Sequence, residues 1–267
     1  MPDVPLNGIT LHYEVDGGGP PLLLLSGMLS DSATWAVILP QLAEHFTVIR
    51  PDNRTTGRTV LADAPADVAL MAKDALALMA HLGHDRFCVA GHSLGGLLSL
   101  ELAALAAERV TKIGVLASGR VRSPRTMSVF ETLLDIRKGS RGEEMWLRAL
   151  YPWIFGQAFF ESADNIELAL AAALAYPHAQ STQNMERQIA AFRAFRPQAE
   201  LAQIKSPALI LYAGQDLLVP PAHARPSFAP LSNKTEITIE EAGHSIVWDA
   251  PQEVASHLLE FFSDSAA

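Results

Sequence analysis

The chain has 267 residues, about twice the length of a commonplace domain, which admits two ordinary domains or one large α/β domain. It is 49% hydrophobic and 18% charged with a mean hydropathy of +0.16, which is enough apolar material for a real core and excludes a disordered chain. The net charge of −9 argues against a nucleic-acid or anionic-membrane binder, and no apolar run nears the ~20 residues of a membrane helix.

Residues 1–5 carry neither the basic region nor the apolar core of a secretory signal. The single cysteine, Cys88, has no intrachain partner for a disulfide. Both readings predict a cytoplasmic protein.

Taken in order, residues 9–15 read as a strand, preceded by a short one that ends at the Asn7-Gly8 turn. Residues 22–25 are a short, wholly apolar strand, followed by a helix over 35–44 and a strand over 46–49. A helix over 67–82 ends at Gly83, a C-cap residue. Residues 87–90 read as a strand, 94–107 as a helix and 113–116 as a strand. Further on, 208–212 and 235–239 are strands, and the last helix runs through 254–262. Apolar runs buried on both faces and separated by amphipathic helices predict a mostly parallel sheet covered by helices.

The interval 119–203 breaks this rhythm. It reads as helical, and an insertion of that length within a sheet is a structured element rather than a loop. It holds ten of the nineteen aromatics. Individually these glue helices together; as a group they are expected to form an apolar pocket wall. The architecture expected is an α/β fold with an eight-stranded, mostly parallel sheet. Residues 1–118 and 204–267 make its core, and a helical cap, 119–203, is inserted after the sixth strand.

The strand over 87–90 runs into Gly91-His92-Ser93-Leu94-Gly95-Gly96 and then a helix. This is G-x-S-x-G in strand–turn–helix context. The turn is so tight that Ser93 must take a strained backbone conformation with its hydroxyl raised above the sheet edge. A Cβ at position 91 or 95 would collide where strand and helix nearly touch. The helix N-terminus aims its free N–H groups at the same point.

Serine needs a base, and the base needs an orienting group. Of nine histidines, His244 follows the last strand, which places it at the sheet edge where Ser93 emerges. His223 falls within a helix opened by Pro220-Pro221, and the side chain of His92, next to the nucleophile, is expected to point away. Asp216 directly follows the strand over 208–212 and is the natural orienter; Asp249 and Glu241 are rivals by proximity to His244. A tetrahedral oxyanion needs two donors: the Leu94 N–H, and the Met28 N–H in the loop Ser26-Gly27-Met28 after an apolar strand.

With these residues in place, the chain resembles the α/β-hydrolase fold family over nearly its whole length, and most of all the compact bacterial esterases, enol-lactonases and meta-cleavage-product hydrolases. The order Ser93, Asp216, His244 is the family order. Pro51-Asp52-Asn53-Arg54-Thr55-Thr56-Gly57-Arg58-Thr59 is similar to the family's D-x-R-G-x-G-x-S loop, with Thr55 where the family has glycine. Ser26-Gly27 stands where the family usually has His-Gly. The resemblance implies acyl transfer to water from a small to medium, partly apolar carboxylic ester or lactone, with no metal or organic cofactor and with a small-molecule substrate rather than nucleic acid or membrane as partner; it does not give the oligomeric state. His81 and His84 lack a third ligand for a metal.

Two alternatives stand beside this. One is carbon–carbon bond hydrolysis of a vinylogous diketone, faintly suggested by Trp248. The other is a ligand receptor that keeps the three residues but signals through its cap. Cofactor-free perhydrolase or oxygenase chemistry is weaker still. On charge, the cap holds ten basic and nine acidic residues, and the rest of the chain ten and twenty. Arg120, Arg122 and Arg125 cluster at the cap entrance, where they would attract an anion.

Overall fold

The computed structural model describes residues 3–121 and 123–263. Strands β1 (Asp3–Leu6) and β2 (Ile9–Gly17) pair as a hairpin. Its turn holds Asn7 and Gly8 at φ of 47° and 78°, the left-handed values such a two-residue turn demands. Strand β3 (Pro21–Leu25) divides its leucines by the period of two: Leu23 and Leu25 enter the core on one face of the sheet, Leu22 and Leu24 the core on the other.

The helix expected over 35–44 is interrupted. A 3-10 turn spans Ser32–Trp35, and helix α1 (Leu39–Ala43) begins afresh with Pro40 in its first turn. Proline has no N–H to give the preceding turn, so one continuous helix would lose a bond there, whereas a helix start loses nothing. Strand β4 (Thr47–Pro51) follows. Helix α2 (Val68–His81) starts where the Asp67 carboxylate accepts the Ala69 N–H at 2.7 Å and ends before Gly83 at φ 76°.

Strand β5 (Phe87–His92), helix α3 (Leu94–Leu105) and strand β6 (Val110–Leu116) come next. Both strands exceed the predicted lengths: β5 runs on because Gly91 and His92 still pair with Val115 and Leu116, and β6 starts early because Val110 already pairs with Phe87. Strand β6 begins on Val110-Thr111-Lys112, too polar to read as a buried strand. Between β6 and strand β7 (Ala208–Ala213) the described residues hold no strand, two 3-10 turns (Gln157–Glu161 and Leu201–Gln203) and four α-helices: α4 (Pro124–Arg137), α5 (Gly142–Ile154), α6 (Ala163–Ala175) and α7 (Thr182–Ala194). Helix α8 (Pro221–Ser227), strand β8 (Lys234–Ile239), the short helix α9 (Ile246–Asp249) and helix α10 (Pro251–Ser263) complete the chain.

The eight strands lie in the order β1-β2-β4-β3-β5-β6-β7-β8. Pairing is antiparallel on either side of β2 and parallel from β4 to β8. One core packs α2, α3 and the four-helix interval, the other α1 and α10. The carboxyl ends of β3, β5, β6, β7 and β8 therefore share one edge, where ligands of such sheets bind. Among the described residues no helix is long and apolar enough to cross a membrane.

The arginine loop after β4 is bolted to this frame. Arg54 is fully buried, and its Nε and Nη2 donate to the two Asp74 oxygens on α2 at 2.6 and 3.0 Å. Thr55 keeps the left-handed turn, at φ 74°, although its branched side chain disfavours that conformation. Asp74→Ala leaves the guanidinium buried without its carboxylate. The expected loss is about 3–5 kcal/mol, measured as a fall in the urea midpoint, with Asp74→Asn, which keeps one acceptor, losing less.

Candidate active site

Ser93 sits between β5 and α3 with φ 54° and ψ −115°, outside the regions a non-glycine residue prefers. The reason is the closeness of strand and helix. A Cβ on Gly91 would lie 2.0 Å from the Gly95 carbonyl oxygen, and one on Gly95 would lie 2.0 Å from that of Leu25. The chain can pass only if both are glycine. The Ser93 N–H donates to the Leu116 carbonyl at 2.9 Å and the Ser118 hydroxyl to the Ser93 carbonyl at 2.7 Å, so the bend is tied to β6 from both sides.

The loop after β8 brings His244 to this point. Ser93 Oγ stands 2.9 Å from His244 Nε2, and His244 Nδ1 stands 2.7 Å from Asp216 Oδ2. A carboxylate accepts only, so Nδ1–H donates to Asp216 and the bare Nε2 accepts the serine hydroxyl. The other Asp216 oxygen accepts the N–H groups of Leu218 and Val219 at 2.8 and 2.7 Å, which fixes the carboxylate in the turn after β7. All three predicted residues meet, across sequence separations of 151 and 28. The rival acids are occupied elsewhere. Asp249 Oδ2 accepts from Gly156 and Gly243 N–H, and Glu241 accepts from Gln215.

Ser93 and His244 open onto a cavity of about 740 Å³, lined chiefly by apolar side chains. Leu94 and Met28 both line it. Neither of their N–H groups donates to an acceptor among the described residues. A Cβ on Gly27 would lie 3.2 Å from that of Ser93, so it is space, and not a turn into the left-handed region, that calls for glycine before Met28.

The expected aromatic wall is narrower than the composition suggests. Of the ten aromatics between β6 and β7, Phe130, Phe192 and Phe195 line the cavity. Tyr151, Phe155, Phe159 and Phe160 pack on one another, with Phe155 and Phe159 stacked at 4.0 Å. Trp146 lies under the Arg137 guanidinium. The arginine cluster also divides. Arg120 lines the cavity, Arg125 lies over the Trp153 ring, and Arg122 falls outside the described residues. Trp248 is half exposed and is not among the cavity's lining residues.

A family model described as "Alpha/beta hydrolase family" matches residues 22–257. The chain belongs to the alpha/beta hydrolase family. It is 33% identical over 264 residues, 95% of this chain and 97% of the relative, to a protein of Pseudomonas savastanoi pv. phaseolicola named "Putative carbamate hydrolase RutD". Among solved structures it is similar to the enol-lactonase of Burkholderia xenovorans LB400, with TM-score 0.86, 24% identity and coverage of 98% of this chain and 100% of that one. It is likewise similar to a thermophilic esterase of Thermogutta terrifontis, with TM-score 0.83, 22% identity and coverage of 98% and 96%. At those identities the two structures share its fold.

In this hydrolase three further side chains, in roles the sequence does not show, hold the loops around Ser93 and His244. The His92 side chain does turn away from the cavity, but toward the histidine loop: its Nε2–H donates to the His244 carbonyl at 2.7 Å. Burial, together with the neighbouring His244 ring, pushes the His92 pKa down to about 4, so the neutral donor persists through neutral pH. Gln188, fully buried on α7, accepts the Leu29 N–H at 2.8 Å, one residue past Met28. Asp249 clasps Gly156, beyond α5, to Gly243, with burial raising its pKa. No local pattern marks His92 or Gln188, because each acts on a backbone group more than 150 residues away.

Two outcomes follow for stability. As pH falls from about 6.5 to about 4, the unfolded chain takes up a proton on His92 that the folded one refuses. Wild type therefore loses up to roughly 3 kcal/mol across that window relative to His92→Gln, which still donates an N–H; paired urea titrations at pH 7 and pH 4.5 check this. Because Ser93 is held at positive φ, Ser93→Gly is expected to be about 1 kcal/mol more stable than Ser93→Ala, read as a higher melting temperature.

Proposed function

We propose that this hydrolase cleaves a small to medium, partly apolar carboxylic ester or lactone through an acyl-enzyme on Ser93. The observation that carries the reading is the unbroken Ser93–His244–Asp216 hydrogen-bond chain opening on a mostly apolar cavity. His244 Nε2 takes the hydroxyl proton as Ser93 Oγ bonds to the carbonyl carbon, and Asp216 steadies the imidazolium. The N–H groups of Leu94 and Met28 hold the oxyanion. His244 then returns its proton to the departing alkoxide. Water, giving a proton to the same nitrogen, attacks the acyl carbon; the bond to Ser93 Oγ then breaks, Oγ takes that proton back from His244 Nε2, and the acid leaves.

In this reading residues 119–203 act as a cap on a core of 1–118 and 204–267, and the single cysteine suits a cytoplasmic setting. An aryl carbamate presents the same kind of carbonyl to Ser93, and the relative named for carbamates favours including one among the substrates tried. Trp248, on which the carbon–carbon alternative leans, is not among the cavity's lining residues.

The test is a panel of p-nitrophenyl esters of increasing chain length, an aryl lactone, an aryl carbamate and a vinylogous diketone, run on wild type and Ser93→Ala. Turnover of short to medium esters or lactones, lowered by roughly 10³-fold or more in the variant, is the expected result. Unchanged turnover in Ser93→Ala refutes the nucleophile. Hydrolysis confined to long-chain lipid esters refutes the pocket reading. A stable ligand-bound state without turnover supports the receptor instead.

A further inference from the structure

The chain carries nine more acidic than basic residues, yet the residues lining the cavity include two arginines and neither aspartate nor glutamate. The two arginines differ. Arg193 forms an ion pair with Glu131. Arg120 has no carboxylate partner among the described residues. Its Nη2 donates to the Pro197 carbonyl at 3.1 Å, and its backbone N–H donates to the Ser227 hydroxyl at 3.1 Å. Pro197 and Ser227 both line the cavity, so this guanidinium is anchored to the wall with donors to spare.

Its place along the chain sets the reach. Arg120 lies two residues beyond Ser118, whose hydroxyl donates to the Ser93 carbonyl at 2.7 Å. Two residues span at most about 7.6 Å between Cα atoms, so the backbone that carries Arg120 leaves the sheet beside the bend that carries Ser93, and both residues line the same cavity. A guanidinium without a counter-ion, in a wall that is otherwise mostly apolar, gains most from an anion with two parallel acceptor oxygens.

We propose that the substrates carry a carboxylate remote from the scissile carbonyl, bound by Arg120: half-esters of dicarboxylic acids, or lactones bearing a free acid. This rests on the reading of Ser93 as the nucleophile and narrows its substrate class. Arg120 is a specificity residue, and the stretch of cavity between it and Ser93 accepts the intervening carbons.

The test compares mono-p-nitrophenyl esters of six- to eight-carbon α,ω-dicarboxylic acids with neutral p-nitrophenyl alkanoates one carbon longer. Wild type is expected to favour the half-ester by roughly 10–100-fold in kcat/KM. The preference is carried mainly by KM and shrinks in 1 M salt. Arg120→Gln brings the ratio of the paired substrates to about one, and Arg120→Lys restores part of it. Equal kcat/KM for the pair in wild type overturns the proposal, as does an Arg120→Gln variant that slows both substrates alike, since tying down Pro197 would then be the whole role of Arg120.

A second readout separates this from the nucleophile. Monoethyl suberate is expected to raise the melting temperature of Ser93→Ala but not that of Ser93→Ala/Arg120→Gln. If no ester is turned over while that difference appears, the hydrolytic reading of Ser93 falls and the anion site stands. Absence of the difference overturns the anion site.

Discussion

Strand β5 and helix α3 pass so close at the bend after His92 that the backbone of one occupies the space a side chain of the other would need. Gly91 meets the carbonyl of Gly95, and Gly95 meets that of Leu25 on the neighbouring strand. Everything at the site depends on this contact. Were the two elements to separate by the width of a methyl group, Ser93 would relax toward an ordinary backbone conformation and its hydroxyl would swing off the sheet edge. Close packing on both faces prevents this, since Ala90 and Leu98, on either side of the bend, are completely buried.

Around that fixed point the remaining groups arrive on loops, and loops need anchoring. The turn after β7 anchors Asp216 through its own backbone. The histidine loop is held from below by His92 and from above by the interval between β6 and β7: the Ser245 N–H donates to the Ile154 carbonyl at 2.6 Å, and Asp249 holds Gly156. The loop after β3 is held by Gln188, and Asp31 on the same loop accepts the Tyr176 hydroxyl at 2.8 Å. Buried polar contacts of this kind are specific because each partner would otherwise go unpaired.

What the sequence disclosed follows from where the information lies. Strands β3 and β7 are apolar throughout because both faces are covered, and they could be read without any partner in view. The bend at Ser93 was equally plain, since its demand for glycine is local. So were Asp216 and His244, which stand immediately after strands whose direction is fixed by parallel pairing. The break before Pro40 carries its own local mark, a proline that has no N–H to give the preceding turn. The polar start of β6 hid because Thr111 and Lys112 are only partly buried. The roles of His92 and Gln188 leave no local mark: the groups they hold, the His244 carbonyl and the Leu29 N–H, are main-chain atoms, which carry no residue identity to search for. The aromatics between β6 and β7 misled for a related reason, since composition counts rings without saying which way they face.

The contacts above the sheet bear on how such proteins diverge. Helices placed over a reactive centre are commonly thought of as an interchangeable roof, free to be swapped when a new compound must be accommodated. Here the helices between β6 and β7 also attach to the loops beside Ser93: Gln188 steadies the stretch beside Met28, and Ile154 and Gly156 steady the stretch bearing His244. A segment transplanted from a relative would bring its own shape of chamber, but it would work only if it also reproduced those few backbone attachments.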